Sequence, residues 1–275
     1  MSEYILSDEE LRQLNAEAER MNQWRNSLET LAYLKFFRSE QYLDDLIAGK
    51  FFCNTPKYYR LNYEPGVGDG QEAVSYSGGN DHLTGVDLSA SIGPVSVGAM
   101  LQATGLNPDN IKTLEIAKNV EGYEHGWLHC WFAIDKVGDA SQLAQLLTNL
   151  KRVREEFGCN YASLNADGYT KLLRRFEERG IAPVRTARVS YSDSAFHNGI
   201  ECKRLQYQYQ QEFRFIFGQC DANEINPRII ELGDLSDILQ VNSEFAFADY
   251  NETVHFRLTK DELYANPKTF SKVAT

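Results

Sequence analysis

Two hydrophobic periods alternate along this chain. Leu11, Leu14, Ala18, Met21, Leu28 and Leu31 recur at helical spacing behind Ser7-Asp8-Glu9-Glu10, a capping-box pattern. They predict an amphipathic helix over residues 8–30. LAYLKFF (31–37) reads as a first core strand. Ser39 caps a short helix, EQYLDDLIA, which Gly49 ends, and residues 50–54 form a second strand. TPKYYRLNYEPGVGDGQE (55–72) reads as a loop, and residues 73–105, rich in Gly and Ser, as hairpins. IKTLEIAKNV fits a strand or a helix. Residues 127–134 predict a buried strand, 140–157 and 167–180 helices, and 184–191 a strand. Segments 229–232 and 252–258 add further strands.

The clearest alternation is LQYQYQQEFRFIFG, residues 205–218. Tyr207, Tyr209, Gln211, Phe213, Phe215 and Phe217 fall on one side. Gln206, Gln208, Gln210, Glu212, Arg214 and Ile216 fall on the other. A period of two predicts one long strand with an aromatic face and a polar face. Helices mixed with hairpin-like strands give an α+β class. The expected architecture is mixed, mostly antiparallel sheets with flanking helices, in one domain over 1–275 with the N-terminal helix packed on the core.

Composition narrows the classes of function. The chain has 275 residues, 43% hydrophobic, which is enough apolar material for a substantial core. A net charge of -11 argues against coating nucleic acid through a broad basic surface. The N-terminus is acidic and polar, and no apolar run has the length of a membrane span. A cytoplasmic location with no membrane partner is therefore expected. The five cysteines show no CxxC spacing and read as free thiols. His125 and His129 have i, i+4 spacing, but GWLHCWFAI reads as a strand, where that spacing does not converge on one ion. No metal site is expected. His129 and Cys130, adjacent on a strand, face opposite sides and form no nucleophile–base couple. Gly66-Val67-Gly68-Asp69-Gly70 lacks the lysine and the strand-to-helix setting of a phosphate loop.

Chemistry-bearing residues gather in an early segment, Tyr33 to Arg60, and in the late Gln210-x-Glu212 pair. An aromatic and basic strand, a short helix ending in Gly-Lys and a second strand resemble the opening of toxin-type mono-ADP-ribosyltransferases. The late Gln-x-Glu resembles that superfamily's catalytic strand. The chain is also similar to uncharacterised phage and bacterial proteins with a Gln-Glu-Phe/Tyr-Arg strand, some of them defence or toxin components. The resemblance implies an ADP-ribosyltransferase-like fold, NAD as co-substrate, and transfer to a nucleic acid or protein, with an antitoxin protein as a further partner. It makes Glu212 the acid facing the ribosyl cation and Gln210 the residue orienting the acceptor. Lys35 or Arg38, assisted by Arg60 or Arg214, would meet the NAD phosphates. Tyr33, Tyr58 and Tyr59 would stack on nicotinamide, and Thr55 would brace the site. The middle Ser-Thr-Ser type motif is reduced here to Asn54-Thr55. On this reading Lys35 or Arg38, one of Tyr58 and Tyr59, and Glu212 line one cleft.

Two other readings compete. Glu212 and Arg214 also fit a strand face carrying cross-strand charge pairs. The chain is then a non-catalytic interaction protein using the aromatic 58–63 segment and the N-terminal helix. Alternatively Asp69, Glu72 and a distant acid would serve a metal-dependent nuclease.

Overall fold

The computed structural model describes residues 8–62, 64, 66–69, 76–80, 91–92, 95–96, 114–118, 125–181, 183, 185–193, 199–221 and 223–270. Its centre is a six-stranded antiparallel sheet. The strands are β1 (Thr30–Phe37), β7 (His125–Asp135), β8 (Asn160–Asn165), β9 (Arg185–Arg188), β12 (Glu212–Cys220) and β14 (Gln240–Val241), in the order β14-β8-β1-β7-β12-β9. Four further pairings lie outside it. β2 (Lys50–Cys53) pairs with β13 (Arg228–Glu231), and β10 (Ser190–Tyr191) runs parallel to β11 (Cys202–Lys203). β3 (Tyr76–Asn80) pairs with β6 (Leu114–Lys118), and β4 (Ser91–Ile92) with β5 (Val95–Ser96). A small sheet holds β15 (Phe245–Ala248), β16 (Val254–Leu258) and β17 (Leu263–Ala265).

Alternation along the strands gives the central sheet two buried faces. One face packs Trp131, Ala133, Phe213, Phe215 and Phe217 against helices α2 (Glu40–Ile47) and α5 (Ala166–Glu178) and against Phe51 and Cys53 of β2. The other packs Leu34, Phe36, Phe132 and Ile134 against helix α4 (Ala140–Phe157) and against Phe247, Phe256 and Leu258 of the small sheet. Tyr161 ties the two sheets together by donating to the carbonyls of Leu258 and Ser243.

Helix ends follow their local signals. Ser39 Oγ accepts from Gln41 N at the start of α2, and Asp139 and Asn165 cap α4 and α5. Gly49 takes φ 85 after α2, and a Cβ there would lie 1.8 Å from the Gly233 carbonyl oxygen.

Three expectations need correction, and one ambiguity is resolved. Helix α1 (Asp8–Ser27) ends before Leu28, so Leu28 and Leu31 leave the helical stripe, and Leu31 belongs to β1. The chain turns because Thr30 onward is needed to pair with β7. Ser7 and the side chains of Leu11, Leu14, Ala18 and Met21 lie outside the described residues. The 55–72 loop contains helix α3 (Pro56–Leu61), with Thr55 as its cap and Pro56 in its first turn, a favoured pairing. The ambiguous IKTLEIAKNV segment contains strand β6. The long strand from 205 begins only at Glu212, because residues 205–210 form a 3-10 helix and Gln211 is left-handed at φ 39. No helix among the described residues is long and apolar enough to cross a membrane.

Candidate functional site

The 3-10 turn is held by its side chains. Tyr207 Oη donates to the Gly68 carbonyl at 2.7 Å, and Tyr209 Oη to Glu156 Oε2 at 2.5 Å. The Arg152 guanidinium covers the Tyr209 ring at 3.4 Å. Gln210 Nε2 donates to the Gly66 carbonyl at 2.6 Å. These contacts to α4 and to residues 66–69 override the strand pattern, and Tyr209 packs on the α4 side of the sheet instead of beside Phe213. Gln210 therefore does not share a strand face with Glu212.

Glu212 opens β12 opposite Phe132, with Arg214 opposite Cys130. Both side chains lie on the α4 face, where Arg214 is fully buried and Glu212 is 5% exposed. Lys203 Nζ lies 2.7 Å from Glu212 Oε2, and Arg214 Nε donates to Oε1 at 2.7 Å. Lys203 also donates to Gln210 Oε1 at 2.8 Å, and Arg214 to the Ile200 carbonyl. The Glu212 backbone N–H donates to Tyr191 Oη at 2.8 Å. Burial alone would raise the Glu212 pKa; the Arg214 and Lys203 charges and the Arg214 hydrogen bond outweigh it and hold the carboxyl well below the ordinary range. The result is a carboxylate kept ionised inside the protein. Burial and then the Glu212 charge push the Cys130 thiol far above its usual pKa.

A second group of polar side chains sits on the other face. β1 pairs with β7 only from Thr30 to Leu34, while β7 beyond Phe132 pairs with β12 and takes a bridge from Asn54 to Leu128. Lys35 sits at this fork, half-buried, and its Nζ donates to the Cys130 carbonyl at 2.7 Å. Burial pulls its pKa below the ordinary lysine value, with the Glu212 carboxylate acting in the opposite direction. Alternation from Leu34 puts Lys35 on the face opposite Glu212.

The remaining predicted residues have separate places. Tyr33 packs against Tyr169 and Phe213 at centroid distances of 5.1 and 4.6 Å, and burial pushes its hydroxyl up to about 12. Arg38 lies at the surface, donating to the Glu156 carbonyl and to Glu64. Thr55 Oγ1 accepts from Tyr58 N and donates to the Glu224 carbonyl, so its bracing is that of a helix cap. Tyr59 packs with Leu128, Ile200, Ile216 and Cys130 on the Glu212 side, while Tyr58 is exposed against its edge. Arg60, in the last turn of α3, acts electrostatically on His125 and Cys220. Tyr59, Gln210, Glu212 and Arg214 thus gather on one face. Lys35 and Tyr33 lie on the other, and Arg38 lies on the outside.

Asp69 Oδ1 pairs with Arg204 at 3.3 Å. Glu72 lies outside the described residues, among which no three His, Cys, Asp or Glu side chains converge as metal ligands. Sequence reasoning missed Lys203 and Tyr191. Neither carries a motif, and both reach Glu212 only through the parallel β10–β11 pair. Comparison with family models, curated proteins and solved structures finds no match for this chain.

Proposed function

We propose that this chain is an NAD-dependent ADP-ribosyltransferase of the toxin or phage-defence kind, with an ADP-ribosyltransferase-like fold and Glu212 as its acid. One observation carries the reading: the Glu212 carboxylate is buried at the central sheet with Lys203 and Arg214 each 2.7 Å away, a pairing that favours its ionised form. Cleaving the nicotinamide–ribose bond builds positive charge on the ribose, and an ionised carboxylate facing it stabilises that charge. Buried, strongly perturbed acids with named charge partners concentrate at functional sites. On binding NAD, the ribose hydroxyls would exchange with Lys203 at Glu212, and Lys203 and Arg214 would meet the pyrophosphate. The left-handed Gln211 is the joint at which Gln210 would turn to the acceptor, a nucleic acid or a protein. An antitoxin protein is the expected partner of such an activity.

The test is transfer of label from adenylate-labelled NAD to protein and nucleic-acid acceptors in a cell extract. The reading expects transfer by the native chain and a drop of at least about 100-fold in Glu212→Asp, which keeps the charge and moves it by one methylene. Full transfer by a folded Glu212→Asp variant removes Glu212 from the reaction.

A second reading follows from the closure of the same cluster. The hydrogen bonds described for the Glu212 carboxylate run to groups of this chain. Apolar side chains lie outside instead: Phe52 and Ile229 face each other across β2 and β13 at 50% and 53% exposure. In this reading the charges are structural and the chain is an interaction protein. Absence of transfer to every acceptor, with a stoichiometric complex isolated under the same conditions, favours it.

A further inference from the structure

The face opposite Glu212 holds three polar groups that the reading above does not use. The register Tyr33↔Ala133 and Leu34↔Phe132 brings Lys35 level with Trp131, although the two strands have parted there. His129 lies two residues along β7 on the same face, with its ring 6.0 Å from that of Trp131 and stacked at 3.9 Å on Phe51. The His129 Nδ1–H donates to the Phe52 carbonyl at 2.9 Å, which fixes the tautomer and leaves Nε2 as an acceptor. Both His129 and Trp131 are 2% exposed.

Two of these groups have no hydrogen-bond partner among the described residues. His129 Nε2, an acceptor, and Trp131 Nε1–H, a donor, are buried with no hydrogen bond. Each orphan costs about 1–3 kcal/mol of desolvation. Lys35 Nζ makes one hydrogen bond, to the Cys130 carbonyl, and no ion pair among the described residues. It is near enough to be the main charge acting on His129; burial first, and then that ammonium, keep the ring neutral. The walls are apolar: Phe51, Cys53, Leu43 and Phe176 belong to the same packed cluster as Trp131. Lys35, half-buried at the fork between β1 and β7, is the most exposed of the three groups.

We propose that Lys35, Trp131 and His129 form a binding site for a phosphate monoanion, free or as the end of a phosphate monoester. The chemistry of the three groups selects this class. An ammonium and an indole N–H call for acceptor oxygens carrying negative charge. A neutral His129 Nε2 calls for a donor on the same ligand. A carboxylate offers acceptors only, and so does sulfate at neutral pH. A hydrogen phosphate offers both, with P–O oxygens for Lys35 and Trp131 and a P–O–H for His129. The site lies across the sheet from Glu212 and stands independently of the transferase reading.

Titration of the intact chain with inorganic phosphate, glycerol phosphate and sulfate, followed calorimetrically and by the His129 imidazole NMR signals, tests the site. Saturable binding of one phosphate compound, at least about 10-fold tighter than sulfate, is expected, with a shift of the His129 resonance. Phosphate binding with no glycerol phosphate binding identifies the free ion; the reverse identifies an ester. Lys35→Met is expected to weaken binding at least 10-fold, and Trp131→Phe, which removes the indole N–H together with the five-membered ring that carries it, about 5-fold. Lys35→Met removes a half-buried cation that has no ion pair among the described residues, so it is expected to fold, as far-UV dichroism would record. Absence of saturable phosphate binding to the native chain overturns the proposal whatever the variants do. Equal affinity for sulfate, or unchanged phosphate affinity in Lys35→Met, also overturns it. An unmoved His129 signal at phosphate saturation does the same.

Discussion

Replacing Glu212 by Gln removes one negative charge and leaves the shape of the side chain nearly unchanged. Lys203 and Arg214 then lose a carboxylate that each approaches to 2.7 Å, in a place where Glu212 is 5% exposed and Arg214 fully buried. An exposed pair contributes about 0–1 kcal/mol, whereas removing one member of a buried pair costs about 3–5 kcal/mol by stranding the other charge. Glu212→Gln is therefore expected to lower stability at pH 7 by about 3–5 kcal/mol, read as a fall of more than about 1 M in the urea midpoint. The folded pKa is depressed, so the stabilisation is present above the unfolded pKa, about 4.3, and is lost as pH falls toward the folded value. The gap between native chain and variant should accordingly narrow by about 2 kcal/mol between pH 7 and pH 3. A cycle with Lys203→Met should return a coupling of at least about 1 kcal/mol. A loss below about 1 kcal/mol, or one of equal size at both pH values, refutes the claim that Glu212 is ionised and doubly paired in the interior.

Two further outcomes follow from the packing. Gly49→Ala, at φ 85 with its new Cβ 1.8 Å from the Gly233 carbonyl oxygen, should lose more than about 3 kcal/mol or yield no soluble folded chain, and an unchanged melting temperature contradicts the stated contact. Among the five free thiols, exposed Cys159 should react first with a disulfide reagent at pH 8, while Cys53, whose thiol burial pushes up to about 12, should react only after unfolding; labelling of native Cys53 at the rate of Cys159 contradicts this burial.

Period and capping signals carried most of the central elements. The strand at 127–134 appears as His125–Asp135, the helix at 140–157 is α4, and Ser39 and Gly49 bound α2 as expected. His129 and Cys130 do point to opposite faces, one stacked on Phe51 and the other beside Glu212. Strand β8 was not legible. NYASLN contains three polar residues and little alternation, and it is a strand because β1 and β14 pair with it on both sides. The 205–210 segment failed for the opposite reason. Its Tyr/Gln alternation is strong, but the hydroxyls of Tyr207 and Tyr209 and the amide of Gln210 have partners in Gly68, Glu156 and Gly66 that only a turn reaches. The site was half-legible. Glu212 and Arg214 stand together because strand spacing survives from Glu212 onward. Lys203 and Tyr191 join them through contacts between residues far apart in sequence, about which local pattern is silent.

The two borders of the central sheet bear on how copies of the chain meet. Exposed backbone at a strand border is a template for a neighbour's strand, and short length or charge deters such joining. One border, β14, is two residues long. The other, β9, reads Arg-Thr-Ala-Arg, and its Arg188 turns inward to Asp135 while Arg185 meets Glu201. A second molecule would find too few open amides on one flank and, on the other, a four-residue strand with an inward-pointing charge and an ion-paired arginine at its two ends, so growth of this sheet into a filament is disfavoured at both flanks.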